Sequence, residues 1–530
     1  MFDLSDYVCL LLVTVLTVLL YWYSTSSFGY WSKRGVPYIK PLPLFGNIKD
    51  QLLNKKPMLE VYHEFYQQLK EHRFGGFYQM KIPTLMVIEP ELCERVLVKD
   101  FQYFYDRGFH LDPEREPLSV NLPLAEGATW RNLRYKLAPT FTTGKLKGMF
   151  DQIKTCSDIL VGHVEQESHL GAIDFKTLLG GFTFDVIASC AFGLSFDKND
   201  AMKRKLREII NNVIQPSKLT MFKQMLIVLY SPLAKMLGLK FFSKKVEVLL
   251  ANLVEETIKY RDENAVNRND FLQLMLNVRK QEESGKFDRL TEELHPEDEV
   301  INQMKHAEVG EGEEEGHKVF MSNAVITANS FVFFLAGSDS VSSAIGLIVY
   351  CLTEHPEIQE KVYQEITSVT ERHGGKWTYQ SVKEMVYLNQ VMQEALRLFP
   401  LGFVLPRICT KDYRIPGTDV IIEKGTRVSI PVYSIHRDPR YYDSPEKFDP
   451  ERFAGNNFKP NPRYIPFGDG PRTCIAIRFA ILEVQVLLAR LISEFKVRLN
   501  KKTKTPIRFC NTPNGLNVVG SLWFDFEKRT

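Results

Sequence analysis

Cys474 closes the segment Pro466-Phe467-Gly468-Asp469-Gly470-Pro471-Arg472-Thr473-Cys474, after which Ile475-Ala476-Ile477-Arg478-Phe479-Ala480 reads as the start of an apolar helix. A thiolate at a helix N-terminus is favoured by the dipole and by unpaired backbone N–H groups, and its sulfur suits a soft-liking metal. A buried structural thiol is the commoner fate of a free cysteine, and Cys474 alone leaves the two in balance. Asp339 stands among Ser338, Ser340, Ser342 and Ser343 in the middle of an apolar run. Ser340 can donate to the carbonyl of Ala336, loosening the helix or merely satisfying itself. Gly337, lacking a side chain, offers room for a flat ligand against the backbone. Glu394 and Arg397, three apart, can pair on a helix. The apolar stripe Leu388, Val391, Met392, Ala395 and Phe399 points the other way, so periodicity predicts an exposed pair worth little. Trp130 and Arg134 share a helical face; without context they are a core tryptophan beside a surface arginine. A guanidinium fork there suits a carboxylate.

The elements that must position these groups follow from the rest of the chain. It has 530 residues, 44% hydrophobic and 25% charged, a globular composition larger than one hydrophobic core usually grows. A net charge of +3 gives no argument for nucleic acid. The eight cysteines are scattered without a C-x-x-C pair, which disfavours a zinc ribbon or a disulfide framework and suits a reducing compartment. Tyr7 to Tyr23 carries no charge for 17 positions, the short end of a membrane-spanning helix. Asp3 and Asp6 precede it and Lys33 and Arg34 follow, so the body is expected in the cytosol. Without a basic start or a small-residue cleavage site, a retained anchor fits better than a cleaved leader.

We therefore expect an anchor over 1–28, a basic, proline-rich linker over 29–46 and one catalytic domain over 47–530. The prolines between Gly35 and Gly46 stiffen the linker. Short strands are expected over Phe77–Ile82 and Thr84–Ile88, helices from about residue 90 to 400, and an extended stretch over Phe399–Gly470. The run Phe331 to Leu352 is apolar on nearly every face, but Asp339 would make membrane crossing costly, by roughly 2.5–3.5 kcal/mol, so a central buried helix is expected. Residues 214–250 read as ordinary core helices, with a membrane-touching substrate entrance as the lesser alternative. The acidic stretch 290–318 reads as a solvated connector. The chain shows no internal repeat.

Taken in order, these segments resemble the cytochromes P-450, and the resemblance covers most of the chain. Its implied fold is mostly α with small β-sheets, behind an N-terminal transmembrane anchor. The Cys474 loop resembles the haem-binding loop, with Cys474 as axial ligand of haem b, and Ala476 stands where glycine is usual. Ala336-Gly337-Ser338-Asp339-Ser340 resembles the oxygen-activation segment, which makes Asp339 and Ser340 the catalytic acid and hydroxyl that relay protons. Serine replaces the usual threonine at 340 and loses the methyl that fixes the rotamer. Glu394 and Arg397 match E-x-x-R, with Arg452 of Pro450-Glu451-Arg452-Phe453 as third member of a structural triad. Trp130, Arg134, Arg407 and Arg472 match haem-propionate contacts; Arg107 fits that role and a surface role equally. Phe331, Leu335, Ala336, Leu401, Val404 and Leu405 are candidate pocket walls by position. His436 is expected to be a hydrogen-bonded core histidine, because such an enzyme keeps the sixth iron position open.

Pro139 to Lys147 and Ser189-Cys190-Ala191-Phe192-Gly193 resemble the microsomal branch, most of all its insect detoxification members. The resemblance implies a monooxygenase that inserts one oxygen atom of O2 into small lipophilic substrates, xenobiotic or endogenous. Electrons would come from NADPH through NADPH-cytochrome P-450 reductase, with cytochrome b5 as a second donor. Arg131, Lys145 and Lys147 are candidate docking cations, and the setting would be the endoplasmic reticulum membrane with the catalytic domain on its cytosolic side. A haem-thiolate isomerase or dehydratase that needs no reductase, and a non-enzymatic haem binder, are the alternatives.

Overall fold

The computed structural model describes residues 4–193, 204, 206–208, 213, 217–285, 319–456, 458–511 and 515–529. The expected acidic connector 290–318 lies outside them. Leu4–Thr25 forms α1, whose 22 residues reach about 33 Å, enough for a hydrocarbon layer of about 30 Å. Two other helices, Phe175–Phe192 and Asn323–Glu354, match it in length and apolarity. They are 61% and 56% buried inside the body, against 0% for α1, so α1 alone of the three lacks a protein environment.

The stretch after α1 is not a free spacer. Trp31 is fully buried, and its Nε1 donates to the Phe77 carbonyl at 3.3 Å. A Cβ at Gly76 would lie 2.4 Å from the Trp31 ring, so the strand needs glycine there to admit the indole. Tyr38 bridges to Gly76 and Gly46 to Gln79, while the Ser27 hydroxyl donates to the Lys81 carbonyl. The expected 29–46 linker is therefore docked on the first strand, because its aromatic residues have an apolar sheet to cover.

Nine short strands are present among the described residues: β1 (Phe74–Gln79), β2 (Ile82–Val87), β3 (Ile173–Asp174), β4 (Leu405–Ile408) and β5 (Tyr413–Arg414), then β6 (Ile421–Ile422), β7 (Arg427–Ile430), β8 (Phe495–Leu499) and β9 (Trp523–Lys528). The largest sheet has the order β1-β2-β7-β4, with β2 parallel to β7 and the other pairs antiparallel. The sequence placed the first strand break at Pro83; the hairpin turns earlier, at Met80, whose φ is +56°. The extended stretch from 399 to 470 supplies β4–β7 and then wraps the body as loops and short helical turns.

The helices that position the site are labelled in chain order: α2 (Gly127–Leu137), α3 (Phe175–Phe192), α4 (Lys218–Leu229), α5 (Ser231–Met236), α6 (Asn323–Glu354), α7 (Val386–Leu398) and α8 (Ile477–Glu494). The 32-residue α6 is capped by Ser322, whose Oγ accepts from the Val325 N–H at 3.3 Å, and runs through the core as its composition predicts. It crosses α3 closely, and a Cβ on Gly337 would lie 2.4 Å from the Ile187 side chain. Gly337 thus serves helix–helix packing and does not face a flat ligand. In α4 and α5, Leu219, Phe222 and Met236 are exposed, and among the described residues only Ile227 and Ala234 are buried. These two short helices lie on the surface with a single inner face each, which corrects the expectation of ordinary core helices for that part of 214–250, whereas Phe242, Val246 and Leu250 join the core as expected.

Candidate cofactor and active site

The Cys474 loop is shaped by its backbone. Gly470 has φ +66°, and a Cβ there would sit 1.9 Å from the Leu97 carbonyl oxygen, so no other residue fits. The Cys474 N–H donates to the Phe467 carbonyl at 3.0 Å, which folds the loop back and sets the sulfur just before α8. Cys474 is exposed, although Pro471, Arg472 and Phe479 around it are buried. Ala336 is likewise exposed in the middle of the buried α6. Accessible residues on interior elements mark an internal hollow, not the outer surface. Desolvation by the surrounding protein raises the Cys474 thiol, while the Ala476 N–H, Arg134 and Arg107 pull the other way. Coordination by a metal would deprotonate it outright.

Four arginines gather beside this sulfur. Arg134, on α2, donates to the Thr473 carbonyl at 3.0 Å. Arg472 donates to the carbonyls of Tyr105 (2.8 Å) and Ala125 (2.9 Å), and its guanidinium lies 4.1 Å over the Trp130 ring. Arg107 reaches the Arg472 carbonyl at 3.5 Å. Arg407, on β4, donates to the adjacent Pro406 carbonyl, and its buried Nε has no partner among the described residues. Burial and the neighbouring Arg107 push Arg407 down to about 9. Burial, with Arg107 and Arg407, holds Arg472 well below its usual value.

The carboxylate Asp106, 3.7 Å from Arg472, is itself pushed up to about 6 by burial. Positive charge therefore exceeds its local compensation, and a dianion is what the cradle would take up. A haem, with an iron for the thiolate and two propionates for the arginines, fits this donor set.

Nearer the centre of α6, the Ser340 hydroxyl donates to the Ala336 carbonyl at 2.5 Å. Asp339 Oδ2 accepts from Nδ2 of Asn517 at 3.1 Å. Burial raises the Asp339 carboxyl, opposed by Asn517 and Lys176. Of the expected pocket walls, Leu335, Leu401, Val404 and Leu405 are half-buried. Phe331 is 1% exposed and packs edge-on against Phe242, so it faces the core and not the hollow.

Glu394 and Arg397 are both fully buried and form a bidentate pair at 2.7 and 2.8 Å. Arg397 also donates to the His436 carbonyl (2.7 Å), and Arg452 Nε stands 3.6 Å from Glu394. The exposed pair that periodicity predicts is absent because the 436–453 stretch covers the second face of α7. His436 Nε2 accepts from the Ile465 N–H at 3.0 Å and stacks on Tyr464; burial drives its pKa to about 3, so it is neutral.

Sequence reasoning missed Asn517 and left Arg107 undecided. Neither lies in a spacing pattern. The loop that follows Arg107 is held by Glu126, whose Oε1 accepts from the N–H groups of Gly108 (2.9 Å) and Phe109 (2.8 Å) and so ties it to the start of α2.

Comparison with known proteins agrees with this geometry. The family model "Cytochrome P450" matches residues 36–304 and 295–519. "Cytochrome P450 6B2" of Helicoverpa armigera is 36% identical over 520 residues, 96% of this chain and 97% of that protein. "Cytochrome P450 6k1" of Blattella germanica is 32% identical over 523 residues, covering 98% and 97%. "Cytochrome P450 6a2" of Drosophila melanogaster is 32% identical over 527 residues, covering 98% and 99%.

Proposed function

Since this chain belongs to the cytochrome P-450 family and is a haem-thiolate monooxygenase, we propose that it oxidises small lipophilic xenobiotics or endogenous lipophiles with electrons from NADPH, delivered by a reductase. The observation that carries this reading is the exposed Cys474 in an interior hollow rimmed by four arginines, of which Arg407 keeps a buried Nε without a partner among the described residues. A haem bound there would supply O2 activation, the overall reaction consuming O2, two electrons and two protons and yielding a product with one added oxygen atom and one water.

The chain's own residues supply the rest. Cys474 Sγ would ligate the haem iron, and Arg107, Arg134, Arg407 and Arg472 would hold the propionates. Trp130 keeps Arg472 in place beneath its guanidinium. Ala336, Leu335, Leu401, Val404 and Leu405 offer apolar walls that hold substrate and exclude water. Asp339 carries protons from the Asn517 side of α6, and the Ser340 hydroxyl passes them into the hollow. Ser340 is held by a single backbone bond to Ala336, without a threonine's methyl to fix its rotamer. Ser340→Ala is expected to divert more NADPH-derived electrons into peroxide, with product per NADPH falling about 3- to 10-fold; oxygen and NADPH stoichiometry measures it.

Residues 1–28 act as a membrane anchor, 29–46 as the joint, and 47–530 as the catalytic domain, with the body on the cytosolic side of the endoplasmic reticulum. Arg131, Lys145 and Lys147 contribute to a basic face for the reductase, with cytochrome b5 as a further donor. The test is turnover of a lipophilic panel by purified protein with reductase and NADPH. Product that requires both supports the reading. Substrate conversion without them would assign the protein to the isomerase or dehydratase class, and no conversion beside an intact thiolate-type carbon monoxide spectrum would leave a haem binder.

A further inference from the structure

Asp339 is tied to a part of the chain far from its own helix. Asn517, 178 residues away in sequence, is 3% exposed, and its Nδ2 donates to Asp339 Oδ2 at 3.1 Å. The segment that carries it is fixed on both sides. The Cys510 N–H donates to the Asn517 carbonyl and the Val519 N–H to the Arg508 carbonyl, each at 2.7 Å. From the other side, Nζ of Lys176, on the first turn of α3, donates to the carbonyls of Val518 (3.1 Å) and Gly520 (3.4 Å). Lys176 is thus a strap on the backbone and a positive charge that favours ionised Asp339.

The amide has few other uses. Its Nδ2 is a donor only, so the bond orients one carboxyl oxygen and leaves Oδ1 to take or release a proton. Desolvation opposes the carboxylate here, and an amide donor offsets part of that cost only while it is held in line. A leucine would fill similar volume yet offer nothing to the acid. The serines of α6 do not replace it: Ser338 and Ser342 spend their hydroxyls on the carbonyls of Phe334 (2.8 Å) and Asp339 itself (3.0 Å).

We infer that Asn517 is a positioning residue for the reaction, holding the Asp339 carboxyl by one oxygen so that the other can exchange protons toward Ser340. The inference rests on the assignment of Asp339 as proton carrier proposed above. No step forms or breaks a bond at Asn517; it acts through Asp339.

Three variants test it: Asn517→Leu, Asn517→Asp and Asp339→Asn. In a thermal-unfolding cycle of Asn517→Leu and Asp339→Asn, the double variant is expected to lose less than the sum of the singles, which reads their coupling independently of turnover. In turnover, Asn517→Leu is expected to raise the peroxide share about 3- to 10-fold and lower product per NADPH, with the reduced carbon monoxide spectrum unchanged. Asn517→Asp preserves shape and removes the donor at high pH. Its coupling of NADPH to product is expected to recover as pH falls and the new carboxyl regains a proton to donate, a response that a merely structural role would not give. Additive stabilities, or an Asn517→Leu protein as well coupled as the parent while Asp339→Asn is not, would overturn the inference. If Asp339→Asn itself left coupling unchanged, the proton-carrier assignment would fail instead. Should Asn517→Leu not fold, the pH response of Asn517→Asp decides the matter alone.

Discussion

Replacing Cys474 with alanine is expected to abolish turnover, by more than about 1,000-fold, and to remove the thiolate-type carbon monoxide spectrum, while far-ultraviolet circular dichroism stays mostly helical. The sulfur is accessible in the hollow, and the bond that folds the loop back, Cys474 N–H to the Phe467 carbonyl, is independent of the side chain. The loop therefore keeps its shape without the thiol. Cys474→Ser offers an oxygen at nearly the same place, but a neutral hydroxyl is a poor donor to a haem iron. Any haem that this variant binds should lack the thiolate signature. A Cys474→Ala protein that retained signature and turnover would show that the ligand lies elsewhere.

The second large effect is expected at Arg397. Arg397→Met leaves Glu394 fully buried with its bidentate partner gone, and breaking such a pair costs about 3–5 kcal/mol against a total margin of about 5–15 kcal/mol. Arg452, at 3.6 Å, is too far to take over both oxygens. The carbonyls of His436 and Lys447 also lose their donor, at 2.7 and 3.2 Å in the parent. We expect low haem content and a greatly lowered unfolding midpoint, measured by absorbance and by scanning calorimetry. Arg397→Lys should rescue little, because a point charge cannot make the two parallel bonds to Glu394. Pairing Arg397→Met with Glu394→Leu should recover part of the loss, since the fully buried carboxylate is then gone and Arg452 keeps its bonds to the Asp443 and Ser444 carbonyls. Parent-like stability in Arg397→Met would mean that the pair braces nothing.

What was legible in the sequence divides by the range of the interaction. The Cys474 loop could be read because its requirements are local: glycines at positive φ and a helix start within three residues. The buried character of α6 was equally plain from its composition. Glu394 and Arg397 were visible as a pair, but their burial was not, because the cover over α7 arrives from residues about 40 to 60 positions later. Asn517 is harder still: nothing in the 515–520 segment announces that it will meet the middle of a helix 178 residues earlier. The same holds for Gly337, whose missing side chain looked like room for a ligand and turned out to be room for Ile187. Surface helices such as α4 mislead in the opposite sense, since greasy composition alone does not say which side chains find a neighbour.

The junction after α1 has a mechanical meaning. Trp31 is seated beneath Gly76, the Ser27 hydroxyl is tied to Lys81, and Nζ of Lys81 lies 3.5 Å over the Tyr23 ring at the end of α1. A flexible leash would let the catalytic body swivel freely above the bilayer. With α1 in a membrane, as proposed above, this weld would instead give it a compass bearing: the tilt of α1 would dictate which side of the body looks down at the lipid. Inserting a few glycines after Thr25 would cut that steering without touching the hollow.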